Sequence, residues 1–422
     1  MLEKYDAYKD SSVEWIGKIP TDWFNERLGT ILEPISIKGN ADKDLLSITR
    51  EKGVILRDVE DDSENHNFIP DDLSNYKLIE KGQFGMNKMK AWQGSYGVSP
   101  YTGIVSPAYY IFKFIRPIYP DFFHWAIRSK TYISFFGSAS DGVRIGQWDL
   151  SKDRMKNIPF VFPNIDSQKK IVEFIQDKAG KIDQAIAIKE QQIALLNERK
   201  QIVIQKAVTQ GLDPNVTMKD SGVEWIGKIP EHWETYFNRR LFRENSRPVK
   251  GDELPLSLSQ KDGVIPSGEM KERSLSPSHR NNFKLCFPND LVVNRFKGHL
   301  GVFFQSNYTG IVTFHYGVFE PAKNVYTKYF ELLYHTEQYK TLYAGASNGM
   351  SIGLQNLSNL NFYRIKSIVP PLEEQKLICE YADKVENEHN NLIQKLETQI
   401  EKLKEYKTTL INDAVTGKIK VA

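Results

Sequence analysis

Apolar positions in two stretches of this chain recur by sevens. From Ile186 to Ala207 the a and d series reads Ile186, Lys189, Ile193, Leu196, Lys200, Val203 and Ala207. From Ile393 to Ala414 it reads Ile393, Leu396, Ile400, Leu403, Lys407, Leu410 and Ala414. This spacing predicts two long amphipathic helices, each with a coiled-coil seam. Lys200 and Lys407 put one polar a position in each. They either fix register at a cost in stability or lay their stems along the seam with the charge in water. Gly211 and Pro214 stop the first helix, and Gly417 stops the second. Elsewhere the period changes. Short aromatic and β-branched runs, such as TGIVSPAYYIFKF at 102–114 and TGIVTFHYGVFE at 309–320, are broken by Gly, Pro, Asn and Asp and read as strands with turns. Helical patches at Phe122–Lys130 and Lys328–Tyr343 intervene, so the regions 20–159 and 230–366 are predicted to be mixed α/β globular domains.

The two halves of this pattern are copies. KDSSVEWIGKIPTDW at 9–23 returns as KDSGVEWIGKIPEHW at 219–233, and LSITREKGVI at 46–55 as LSLSQKDGVI at 256–265. From about Lys90 the spacing between copies shortens by three residues, which places an insertion in the first copy between Ile55 and Lys90. YTGIV then repeats at 101 and 308, ASDGVRIG at 139 matches ASNGMSIG at 346, IDSQK at 165 matches LEEQK at 372, and AVT repeats at 207 and 414. Self-similarity of this extent sets the architecture. The expected order is a globular domain over 1–160, a helix and linker over 161–215, a second globular domain over 216–366, and a closing helix over 367–422. Two seams joined through the second domain can meet along their length only if antiparallel. That predicts a pseudo-two-fold dumbbell on a helical rod of order 50 Å, at about 1.5 Å per residue. Such a rod matches about one and a half turns of B-DNA.

Composition narrows the reading further. The 422 residues suffice for two cored domains, and with 40% hydrophobic and 26% charged residues the chain reads as soluble and globular. No run is apolar enough for a bilayer span and the N-terminus has no signal-peptide pattern, so a cytoplasmic location is expected. Cys286 and Cys379 are too few for a disulfide or zinc framework and read as small buried hydrophobes. A formal charge of +3 neither supports nor excludes a polyanion partner.

The phrase SGVEWIGKIPEHW, the segment PLEEQKLI at 371–378 ahead of a long helix, and the twofold repeat together resemble the specificity subunit of type I restriction–modification systems. The resemblance covers essentially the whole chain. The first copy departs from the Pro-Leu-x-Glu-Gln pattern at 163–171 (PNIDSQKKI), a change expected to matter little because Gln168 and the helix remain. The resemblance implies a non-catalytic subunit with two target-recognition domains, each reading one half of an asymmetric bipartite DNA site. It implies paired helices that set the unread gap and dock two methyltransferase subunits. S-adenosylmethionine would bind those partners, and a translocating nuclease subunit would join for restriction.

Reading duplex DNA takes donors and acceptors for base edges, with cations and amides for phosphates. The cluster Asn87, Lys88, Met89, Lys90, Ala91, Trp92 aligns with Asn294, Arg295, Phe296, Lys297, Gly298, His299. In each, two cations spaced two apart would share one face of a strand. The alternative is a solvated strand end, with Asn87 and Asn294 turning the local backbone. The glycine-bearing segment at 138–147 aligns with 346–355. Arg144 and Gln147 in the first copy, and Ser351 and Gln355 in the second, are candidates for contact; a plain turn between helix and strand is the other reading. Tyr101 and Tyr308 read as core aromatics, and Trp15, Trp23, Trp225 and Trp233 as packing anchors where each domain meets the helices.

Signals for chemistry are poor. Asn157-Ile-Pro-Phe160 has a superficial likeness to the Asn-Pro-Pro-Tyr/Phe loop of adenine methyltransferases, but it lacks the first proline and any accompanying glycine-rich loop. No GxxxxGK[ST] or HExxH occurs. Asp71 with Glu80 and Lys81 does not make a nuclease-like carboxylate set, and His66, His124, His279 and His315 have no metal-ligand spacing. The competing reading from another class is a coiled-coil scaffold whose end domains bind proteins.

Overall fold

The short β-branched and aromatic runs are too brief to stand alone and form small antiparallel sheets whose buried faces meet helices. The computed structural model describes residues 3–57, 69–144, 147–245, 247–250, 252–270, 283–347 and 356–421. The chain divides into two compact units, Met1–Lys189 with Glu397–Ala422, and Glu190–Leu396.

In the first unit a four-stranded sheet runs in the order Leu32–Ile35, Tyr110–Phe114, Phe84–Met86, Tyr96–Val98. Ile111 pairs with Ile35 on one side and Gly85 on the other. The core behind it is aromatic: Phe84 meets Phe123 edge-on at 5.1 Å, and Phe123 meets Phe160 at 4.8 Å. Helices Pro120–Ile127 and Lys130–Ser138 cover the sheet.

The second unit repeats this plan. Its sheet order is Phe242–Glu244, Tyr316–Pro321, Leu291–Asn294, Phe303–Gln305. Val318 pairs with Val292, the partners that the repeat predicts from Ile111 and Gly85. The hairpin Leu46–Thr49/Gly53–Leu56 returns as Leu256–Ser259/Gly263–Pro266, with left-handed glycines (φ +74° and +75°) at matching places. The predicted helix at 328–343 is two helices, Thr327–Tyr334 and Glu337–Ala346, because Thr336 is extended and its hydroxyl donates to the Leu333 carbonyl.

The seams form the two longest helices, Ile165–Gln210 and Leu372–Val415. Gly211 (φ +82°) and Gly417 (φ +73°) follow their ends in the left-handed conformation that closes a helix. In the first unit, Lys407 donates to both Asp183 carboxylate oxygens (2.7 and 2.6 Å) and Lys189 donates to Gln399 (2.5 Å), so the helices run antiparallel there. In the second unit Lys200 donates to Asn390 at 3.3 Å. Asn390 and Asp183 are corresponding residues of the repeat, so each seam lysine meets the same position of the opposing helix. Both seam lysines therefore have partners rather than free, solvated ends.

Each globular part is bolted to its long helix by one buried amide. Gln168 accepts from the Tyr119 N–H (2.8 Å) and donates to the Pro163 carbonyl (2.8 Å). Gln375 accepts from the Tyr326 N–H (2.8 Å) and donates to Pro370 (2.8 Å) and Asn324 (3.0 Å). Trp23 and Trp233 are fully buried at these junctions, as anchors. Trp15, by contrast, is 54% exposed and stacks on Phe135 at 5.3 Å. Cys286 and Cys379 are buried free thiols, and burial pushes them up to about 11 and about 12.

Candidate nucleic-acid interface

Asn87 ends the strand Phe84–Met86, and its side chain accepts from the Met89 N–H at 3.2 Å. This bond turns the chain at once, so Lys88 and Lys90 lie on a turn rather than on one face of a strand. The two cations accordingly part company. Lys88 donates to Asp149 at 3.0 Å, and this bond raises its pKa. Lys90 is exposed, and no side-chain partner for it occurs among the described residues. Trp92 is the middle residue of a short 3-10 turn, Ala91–Gln93, lies tilted against Trp148 at 5.1 Å, and its buried Nε1 has no hydrogen-bond partner among the described residues.

The second copy makes the same turn with other chemistry. Asn294 accepts from the Phe296 N–H at 3.1 Å, and Arg295–Leu300 winds into a 3-10 helix. The strand-face expectation fails here for the same reason: a side-chain oxygen at the strand end competes with the ladder and wins. Arg295 donates through Nη2 to Glu244 at 2.7 Å, and the same carboxylate oxygen accepts from Lys284 at 2.8 Å. Asn359 donates to the other oxygen of Glu244. Arg295 is therefore held, and its buried Nε, beside Gly317, has no partner among the described residues. Lys297 is exposed and has no side-chain partner among the described residues. His299 is half-buried, and its Nδ1 has no partner among the described residues.

The segment at 138–147 is a hairpin rather than a glycine loop: Ser140–Arg144 pairs with Gln147–Leu150, Asp141 opposite Asp149. The side chains of Arg144 and Gln147 lie outside the described residues, as do Ser351 and Gln355 altogether. Tyr101 and Tyr308 are not core residues; they are 41% and 37% exposed. A side-chain turn lifts each out. Ser99 donates to the Tyr101 carbonyl (2.6 Å) and accepts from its N–H, and Ser306 does the same for Tyr308 (2.9 Å).

Sequence reasoning missed the aromatic residues of the second copy's turn. Phe296 is 42% and Phe314 46% exposed, and His315 lies between them, 5.5 Å from the first ring and 3.9 Å from the second. Phe314 follows the strand Gly310–Val312, and the Thr313–Tyr316 turn sets it against His315, the ring that also meets Phe296. The signal was a pair of aromatic residues in a turn where the first copy has Pro107 and Ala108.

Among the described residues no cluster of three His, Cys, Asp or Glu could hold a metal ion, and no helix is long and apolar enough to cross a membrane. The arrangement offers exposed cations, amide groups and aromatic faces.

Residues 230–402 match the type I restriction modification DNA specificity domain. Over 96% of its length the chain is 24% identical to a Methanocaldococcus jannaschii protein assigned provisionally as the type I restriction enzyme MjaX specificity subunit, 96% of which it covers. It is 25% identical, over 68% of each chain, to the type I restriction enzyme MjaVIII specificity subunit of the same organism. In fold it is similar to a chain from work on complex assembly and conformational transition of the type I R-M system (TM-score 0.64, 14% identity, 94% of this chain and 98% of that one). It is similar too to the HsdS subunit from Thermoanaerobacter tengcongensis (TM-score 0.54, 15% identity, 95% and 98%). Repeated phrase, matched domain and fold agree in their likeness to the type I restriction–modification specificity subunits, whose DNA specificity domain residues 230–402 match.

Proposed function

We propose that this chain reads DNA for a type I restriction–modification complex and performs no chemistry itself. Each globular part reads one half of an asymmetric two-part site. The paired helices set the unread gap and dock two methyltransferase subunits, which bind S-adenosylmethionine, and a nuclease subunit joins them for restriction. Lys90 and Lys297 are the phosphate-contact candidates of the two turns. Lys88 and Arg295, with carboxylate partners, hold those turns in place.

One observation carries this reading. The same sheet occurs twice, register for register, yet the corresponding turns carry Met89, Trp92, Pro107 and Ala108 in one copy and Phe296, His299, Phe314 and His315 in the other. A scaffold that grips one protein twice would repeat its contact residues, whereas a reader of an asymmetric site must vary them.

The test is a methylation map. The chain is co-expressed with its cognate methyltransferase and N6-methyladenine is located at base resolution. The expected result is one motif of two unlike halves with a fixed gap. A folded, bound methyltransferase that leaves no such motif, or DNA binding with no salt dependence, returns the chain to the scaffold class.

A further inference from the structure

We infer that the Phe296–His315–Phe314 cluster of the second unit is a thymine-reading surface, the determinant that fixes an A·T pair in that unit's half-site. The inference rests on the DNA-reading function proposed above and assigns a base and a chemical group to one place in it.

Three rings stand together on the surface, and none is needed by the core beneath. Phe314 and Phe296 expose 46% and 42% of their area, and His315 between them is exposed as well. Isolated exposed apolar residues are ordinary, but a contiguous group in a small domain marks a contact surface. Hydrogen bonds hold the backbone under it: the Asn294 side chain accepts from the Phe296 N–H, and the Tyr316 N–H donates to the Thr313 carbonyl at 3.0 Å across the other turn. Beneath, Lys284 joins the Tyr316 carbonyl (2.9 Å) to Glu244, which also grips Arg295. One carboxylate thus ties both turns together.

Charge identifies the occupant. Lys297, next to Phe296, is exposed and unpaired among the described residues, so the patch carries an uncommitted cation at its edge. An apolar face with a free cation beside it fits a polyanion that also presents an apolar group. In DNA grooves the apolar group on base edges is the thymine C5-methyl, which lies in the major groove and is absent from every other base. Phenylalanine rings offer no hydrogen bond, so any base preference they impose must act through that methyl. A ring that wedges between base pairs would protrude singly; these rings are packed against one another and present a broad face. The first unit has Met89, Pro107 and Ala108 at the corresponding places, so thymine reading by this route belongs to the second half-site alone.

The experiment uses the full chain in complex with its methyltransferase and duplexes carrying the mapped site. Thymine in the second half-site is replaced by uracil, which removes the methyl and leaves base pairing intact. Wild-type complex should bind the uracil duplex more weakly by roughly four-fold per methyl, the factor for burying one such group. The double variant F296A/F314A should bind both duplexes equally, and Phe314→Leu, which keeps an apolar face, should retain part of the preference. Uracil in the first half-site should cost the two proteins the same, which also shows that the variant is folded. Lys297→Gln should weaken binding to both duplexes alike. A second half-site without an A·T pair, indifference of the wild type to uracil there, or a preference that survives in F296A/F314A overturns the inference while the DNA-reading function stands. Failure of the wild-type complex to bind any duplex overturns that function, and this inference with it.

Discussion

At the scale of single residues, the junctions between globular parts and long helices depend on two amides. Gln168 and Gln375 are fully buried, and each bonds a backbone N–H and a backbone carbonyl. Gln168→Ala or Gln375→Ala should cost about 2 kcal/mol, the price of stranding buried backbone groups, read from urea unfolding midpoints at constant slope. The glutamine was visible in the sequence as part of a repeated motif. Its role was not, because its partner tyrosines lie 49 residues upstream. The neighbouring substitution in the first copy also has a consequence that the motif did not reveal. Glu374 accepts from the Trp233 indole at 3.0 Å and pairs with His232 at 2.8 Å, whereas its counterpart is Ser167, and among the described residues no carboxylate accepts from the buried Trp23 Nε1.

Two buried histidines give the molecule an acid limit. Burial lowers His124 and His335 to about 4, and the His124 Nδ1 accepts the Val98 N–H at 3.2 Å, which requires a neutral ring. Their folded values lie below the unfolded value, so the unfolded chain binds the extra protons. Stability is complete above about pH 6.5 and falls as pH drops toward 4. At pH 5 each histidine should cost about 2 kcal/mol relative to pH 7.5. Urea titrations of wild type and His124→Gln at the two pH values check this, and the variant should lose less on acidification.

At the scale of elements, the helices were legible because a seven-residue period with glycine stops has few other readings. The strand-rich stretches were legible because most of the same aromatic and β-branched runs recur in both halves, although their pairing register was not. What periodicity could not give was where a side chain overrides the ladder. Asn87 and Asn294 end their strands early and turn the cations that follow, and Ser99 and Ser306 lift Tyr101 and Tyr308 out of the core where an aromatic in a strand-rich region is expected. The seams carry a prediction of their own. Inserting one heptad between Lys189 and Glu190 and another between Leu396 and Glu397 preserves both a/d registers. It lengthens each helix by about 10 Å at 1.5 Å per residue. The unread gap in the methylated motif should grow by about three base pairs with both half-sites unchanged. An altered half-site in the methylation map would refute the spacing role.

At the scale of the whole molecule, the repeat makes its helices interchangeable. Lys407 meets Asp183, and the residue corresponding to Lys407 in the first helix is Lys200. A fragment ending at Gly211 keeps Asp183 and lacks Lys407, so a second copy of the fragment can supply Lys200 in its place. The fragment should sediment as a dimer and, with a methyltransferase, direct modification to a palindrome of the first half-site. A strictly monomeric fragment would count against equivalence of the helices.

The first unit is assembled from both ends of the chain, Met1–Lys189 and Glu397–Ala422. Its helical partner therefore leaves the ribosome some two hundred residues after the segment it must cover. At about 5–20 residues per second that interval is on the order of 10–40 s, during which Ile182 and Ile186, nearly buried in the finished unit, have no opposing helix from their own chain. On a polysome, neighbouring nascent chains carry the same uncovered stripe and a helix that fits it. Timing of synthesis, as much as affinity, then decides whether a seam closes within its own chain or on the one beside it.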